Sequence, residues 1–160
     1  MQSPPRTTKT KEPLSVGELK AKAVRLLARR EHSRAELLRK LSPHGNPEDI
    51  ETVLADLQRH NLQSDARFAE SYVRSLGERF GVAKLRHTLR GKGIAAEVVE
   101  AELGKADLAD DSERARAVWA KKFAAAPTDA KEWARQARFL QSRGFATDVI
   151  RRVLKELDAC

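Results

Sequence analysis

Five cations, Arg79, Lys84, Arg86, Arg90 and Lys92, fall within fourteen residues that contain no acid. Guanidinium and ammonium groups at this density hold anions, either phosphates or carboxylates, through charge-assisted hydrogen bonds. A second basic group lies upstream, where Lys20 to Lys40 carries eight bases against Glu31 and Glu36. Lys22, Arg25 and Arg29 share one helical stripe there, and Arg34 follows shortly after. Glu18 stands four residues before Lys22 and is expected to pair with it, which leaves Arg25 and Arg29 unpartnered on the stripe. These nine residues, Lys22, Arg25, Arg29, Arg34, Arg79, Lys84, Arg86, Arg90 and Lys92, are the candidate partner-binding set. Over the whole chain, 31 Lys and Arg against 23 Asp and Glu give a net charge of +8, the balance of proteins that meet polyanions or acidic partners. The acids are segregated as well: Leu41 to Ala66 is net −4 and Glu97 to Glu113 is net −6.

Other chemistry finds no candidate. A phosphate loop needs a glycine five positions before Gly91-Lys92, and Arg86 stands there. His32, His44, His60 and His87 have no metal-ligand spacing with one another or with Cys160. The carboxylates sit on polar helix faces rather than converging as an acid/base pair. The sequence therefore predicts no catalytic residue, metal or cofactor. A lone cysteine makes no intrachain disulfide, no apolar run reaches the roughly 18 residues of a membrane span, and no apolar segment follows the basic residues near Met1. A cytoplasmic monomer without membrane contact is expected.

The elements that position the cations read as helices. No proline occurs between Pro47 and Pro127, and apolar residues recur at helical spacing throughout. Val16, Leu19, Ala23, Leu26 and Leu27 make the first stripe. Ser33 and Glu36 form a capping-box pattern before Leu37, Leu38 and Leu41. Asn46 and Pro47 start a third helix with Ile50, Val53, Leu54 and Leu57 buried. The layout then repeats twice. Between the second and third helices of each unit stands a related junction: Leu41-Ser-Pro-His-Gly45, Leu89-Arg-Gly-Lys-Gly93 and Leu140-Gln-Ser-Arg-Gly144. Each glycine is suited to the left-handed conformation that ends a helix, with Ile94 or Phe145 stapling the next helix start. Tyr72, Trp119 and Trp133 occupy apolar helix positions and are expected in the core rather than as base-stacking platforms. The predicted fold is all-α, three tandem three-helix repeats in an elongated array. Its units span residues 14–62, 63–106 and 107–160, after a basic disordered tail over 1–13.

Four segments in order carry a resemblance. Arg30-Glu-His-Ser-Arg-Ala-Glu-Leu-Leu-Arg-Lys-Leu41 is similar to the first-repeat signature of the RecX family, regulators of the RecA recombinase. Leu62-Gln-Ser-Asp-Ala-Arg-Phe-Ala69, Phe80-Gly-Val-Ala-Lys-Leu-Arg-His-Thr-Leu-Arg-Gly-Lys-Gly-Ile94 and Arg138-Phe-Leu-Gln-Ser-Arg-Gly-Phe145 extend the match. One departure is that Asn61-Leu-Gln-Ser-Asp65 replaces the family's common Tyr-Leu-Asp-Asp; Ser64 or Asp65 remains able to cap the helix. The resemblance implies a non-enzymatic modulator that lies along the RecA nucleoprotein filament, with single- or double-stranded DNA as a further contact, and restrains its growth, ATP hydrolysis and strand exchange. The residues alone leave a second reading open, a helical DNA-binding or transcription-regulating protein that acts on DNA without RecA.

Overall fold

A computed structural model describes residues 12–159. The expected tail falls mostly, and Cys160 wholly, outside the described residues. Nine α-helices and no strand occur among those described: α1 (Val16–Arg29), α2 (Arg34–Leu41), α3 (Pro47–Arg59), α4 (Asp65–Leu76), α5 (Val82–Gly91), α6 (Ala96–Lys105), α7 (Asp111–Lys122), α8 (Ala130–Ser142) and α9 (Thr147–Asp158). One 3-10 turn, Ser42–His44, follows α2. The protein is all-α, built of three three-helix units in tandem.

Each unit has its own apolar core, because each short amphipathic helix buries its stripe against the other two of its triad. Leu19, Ala23, Leu37, Leu41, Ile50, Val53, Leu54 and Leu57 form the first. The second joins Phe68, Ala69, Val73, Leu89, Ile94 and Val99. The third joins Ala115, Trp119, Phe123, Leu140, Phe145, Ile150, Val153 and Leu154. In every triad the first and third helices pack together, α1 on α3, α4 on α6 and α7 on α9. Ion pairs and hydrogen bonds between units join neighbours only, among the described residues.

Several local expectations need correction. The reciprocal capping box belongs to Ser15 and Glu18, whose side chains each accept from the other's amide. Glu18 is thereby committed to the helix start and makes no ion pair with Lys22. Ser33 Oγ does accept from the Glu36 amide at 3.1 Å, but the Glu36 carboxylate turns away to Arg30 and Lys92. Asn46 occupies the cap position of α3 without a side-chain hydrogen bond. Gly93 and Gly144 adopt φ of 84° and 87°, but Gly45 is extended, at φ −155°, because the 3-10 turn has already reversed the chain. Trp133, expected in the core, is 37% exposed, and Val16 is 39% exposed.

Candidate binding surface

The units meet through polar contacts, and these contacts decide which cations remain free. In both junctions the N-terminal end of a unit's second helix abuts the C-terminal end of the next unit's second helix. At the first, Ser33 Oγ donates to the Lys92 carbonyl at 2.8 Å, and a β-carbon on Gly93 would lie 2.5 Å from the Ala35 methyl. At the second, the Gly81 amide donates to the Arg143 carbonyl at 2.8 Å, and a β-carbon on Gly144 would lie 2.2 Å from Lys84 Cβ. Helix α5 spans both junctions, about 15 Å at 1.5 Å per residue. The acid-free block of the sequence is therefore divided between two interfaces.

The first junction is rich in carboxylates. Glu36, 3% exposed, accepts from Arg30 at 3.0 Å and pairs with Lys92 Nζ at 3.2 Å. Arg67 pairs with Glu31. The Arg34 amide donates to Asp65 Oδ1 at 2.9 Å while its guanidinium pairs with Glu51. Gln63 is buried and donates to the His32 carbonyl and to Asp65, so the turn that departs from the family pattern serves as joinery, and Ser64 caps α4 by accepting from the Arg67 amide. Burial pushes the Glu36 carboxyl up, but the hydrogen bonds and charges of Arg30 and Lys92 outweigh it, holding the group below the usual carboxylate range. His32, 2% exposed, lies between the Arg30 carbonyl and Lys40 Nζ, each at 3.0 Å. Burial, helped by the charges of Arg30 and Lys40, holds its imidazole below its ordinary value.

The second junction uses main-chain carbonyls instead. Arg114, 4% exposed, donates to the Gly77 carbonyl at 2.8 Å and to that of Phe80, and pairs with Asp111 at 2.6 Å. Lys84 Nζ donates to the Ser142 carbonyl at 2.9 Å and lies 4.8 Å from the Phe80 ring centre. Arg114 stands where the second unit has Phe68, each four residues after its cap. Sequence reasoning passed over it, although a charge at an aligned apolar position of an internal repeat was a readable signal.

Of the nine candidate cations, Arg34 and Lys92 are tied into the first junction and Lys84 into the second. Arg86 has found Glu100 on α6, at 2.5 and 3.3 Å. That hydrogen-bonded pair raises the Arg86 group and lowers the Glu100 carboxyl from their ordinary values. The acids absent from the block are thus supplied from elsewhere in the chain. Lys22, Arg25, Arg29, Arg79 and Arg90 have no ion pair among the described residues. Three of them keep to α1, so the structure does not gather the nine into one patch. No group of three His, Cys, Asp or Glu among the described residues could hold a metal ion, and no described helix is long and apolar enough to cross a membrane.

Three tandem three-helix domains, joined through helix ends and carrying unpaired bases, define a modular helical protein. Residues 20–57, 64–103 and 109–154 match the family models for the first, second and third three-helix domains of RecX. The chain is 50% identical over 141 residues to regulatory protein RecX of Leptothrix cholodnii, spanning 88% of this chain and 89% of that protein. The RecX of Chromobacterium violaceum is 46% identical over 138 residues, covering 85% and 88%. A crystal structure of RecX from Lactobacillus salivarius superposes with a TM-score of 0.73 at 24% identity, over 91% of this chain and 97% of that one, a likeness of fold. The chain belongs to the RecX family of regulatory proteins.

Proposed function

We infer that this protein is a non-enzymatic regulator that binds the RecA nucleoprotein filament and restrains its growth, ATP hydrolysis and strand exchange. Membership of a family of regulatory proteins named RecX, along nearly the whole chain, is the observation that carries this reading. The architecture supports it physically. Several weak contacts on consecutive units gain from effective concentration once the first engages, so a modular array suits a polymer better than a single protomer. In this reading the units span 14–62, 63–106 and 107–160, the protein acts as a cytoplasmic monomer, and the unpaired cations Lys22, Arg25, Arg29, Arg79 and Arg90 make the first electrostatic contacts with filament or DNA.

The test is a titration of the purified protein against RecA-coated single-stranded DNA, following DNA-dependent ATP hydrolysis and retention of the protein on the filament. The expected result is lowered hydrolysis and retention that weakens as salt rises. Retention on bare DNA with no effect on RecA at any molar ratio would replace this reading with that of a DNA-binding protein acting alone.

A further inference from the structure

The two junctions enclose equivalent clefts, but only one remains charged. At the first, Arg30, Glu31, Glu36, Tyr72 and Lys92 help to line about 340 Å³, and its two cations face two carboxylates. At the second, about 490 Å³ lies between the segment that joins α4 to α5, helix α7 and the end of α8, a size typical of ligand pockets. The positions correspond: Tyr72 aligns with Val118, Ser75 with Lys121, and Lys92 with Arg143, the caps of α5 and α8.

The second cleft has an apolar floor and a basic rim. Ala117, Val118 and Phe139 form the floor; Arg79, Lys121, Lys122 and Arg143 stand around it. None of these four has an ion pair among the described residues. The lining acids are Glu78 and Glu113 alone, and Arg114, also in the lining, is taken up by carbonyls and Asp111. Four cations without ion pairs thus share the lining with two acids, which leaves the cleft net positive.

We propose that this cleft is a docking site for an acidic peptide segment carrying an apolar anchor residue. The floor decides against nucleic acid. A phosphate chain gains nothing from Ala117 and Val118, and Phe139, the one aromatic ring in the lining, has the Arg143 guanidinium 5.2 Å over its face and Phe123 in edge contact. No base stacks there without displacing that cation. A peptide of Asp and Glu around a Phe or Leu matches both parts, with the anchor on the floor and the carboxylates at the rim. The site stands independently of the RecA reading, since its partner is defined by chemistry and its test contains no RecA.

The test is fluorescence anisotropy of the full-length protein with a labelled twelve-residue peptide of Asp and Glu with one central Phe. The same peptide with Ser in place of Phe and an oligothymidylate of equal charge serve as comparison probes. The Phe peptide is expected to bind, and the Ser peptide to bind at least about tenfold more weakly. Lys121→Glu with Lys122→Glu, and separately Ala117→Trp, which fills the cleft without altering charge, should each weaken the Phe peptide at least tenfold, with helicity and melting retained. Arg39→Glu with Arg59→Glu, at exposed positions of the first unit outside the cleft, should leave it unchanged. Equal binding of the Phe and Ser peptides, or undiminished binding to the Ala117→Trp protein, would overturn the proposal. So would an oligothymidylate that binds more tightly than the Phe peptide and is lost on reversing Lys121 and Lys122.

Discussion

The first junction holds its cations in a network of carboxylates, whereas the second satisfies them largely with peptide carbonyls, although both use the same helix ends in the same arrangement. Glu36 takes up Arg30 and Lys92, whereas Arg114 and Lys84 donate to peptide carbonyls of Gly77, Phe80 and Ser142. A carbonyl satisfies a cation's hydrogen bonds without cancelling its charge, so Lys84 stays without an ion pair among the described residues, while Asp111 neutralises Arg114. The two seams therefore differ in charge: two cations and two carboxylates line the first cleft, and five cations and two carboxylates line the second. A tandem array can vary the chemistry of its seams while each unit keeps its own apolar core.

The largest test of the comparison is steric. Gly144 combines a left-handed φ of 87° with Lys84 main-chain atoms within 3.0 Å of where a β-carbon would stand. Gly144→Val is expected to cost about 3 kcal/mol or more and to separate the second and third units. Thermal melting should drop, and hydrogen exchange should rise at the start of α5 and the end of α8. Gly93→Ala, which meets only the Ala35 methyl closely, should cost less and act on the first junction. Equal effects would mean that the two seams are not the distinct interfaces described.

Next comes the buried guanidinium. Arg114→Leu strips donors from the Gly77 and Phe80 carbonyls and leaves Asp111 unpaired, an expected loss of about 2–3 kcal/mol by chemical denaturation. Glu36→Gln should cost less, about 1 kcal/mol, because Arg30 and Lys92 retain 53% and 36% side-chain exposure and can rehydrate. A larger loss for Glu36→Gln would reverse the ranking of carbonyl and carboxylate joinery.

Acid should separate the junctions without mutation. His32 has a folded-state pKa below its ordinary 6.5. The unfolded chain then binds the extra proton first, and the stability contributed by neutral His32 is present above pH 6.5 and declines as pH falls below it. Glu36 is lowered from 4.5, so its contribution is present above that value and declines below it as the carboxylate takes a proton. Both act at the first junction and in the same direction. Hydrogen exchange at the first junction is expected to rise as pH falls from 7 to 4. His32→Gln should remove the component of the change that begins near pH 6.5.

Much of this architecture was legible in the residues, and what was not shares one cause. Leu19, Ala23, Leu37, Leu41, Ile50, Val53, Leu54 and Leu57 are core residues in the helices where periodicity placed them, because a helix stripe is a local property. The candidate site depended on partners distant in sequence. Glu100 neutralises Arg86 from fourteen residues away, and Glu36 reaches Lys92 across two units. No local charge count contains those pairings. Gly45 misled for a related reason: the Ser42–His44 turn, not the glycine, reverses the chain, so a shared motif conceals a different backbone.

The smallest expected effect concerns Arg86, and it sharpens the distinction between spent and unspent charge on the outer faces. Arg86 is already hydrogen-bonded twice to Glu100, so a partner must compete with an existing carboxylate to recruit it. Arg25 and Arg29, one turn apart on α1, carry no such cost. If each makes one contact with a charged partner worth about 1 kcal/mol, Arg25→Gln with Arg29→Gln should weaken inhibition of RecA by about thirtyfold. Arg86→Gln should change it by less than about twofold, since the net charge of the Arg86 and Glu100 pair before mutation is zero and exposed pairs of this kind contribute little. Glu100→Gln gives the opposite reading: it releases Arg86, and inhibition should hold or strengthen slightly at low salt. The measurement is RecA ATP hydrolysis at two salt concentrations, with circular dichroism to confirm retained helix. An Arg86→Gln protein as weak as the α1 double variant would show that Glu100 is displaced on binding, and would return the acid-free block to the centre of the interface.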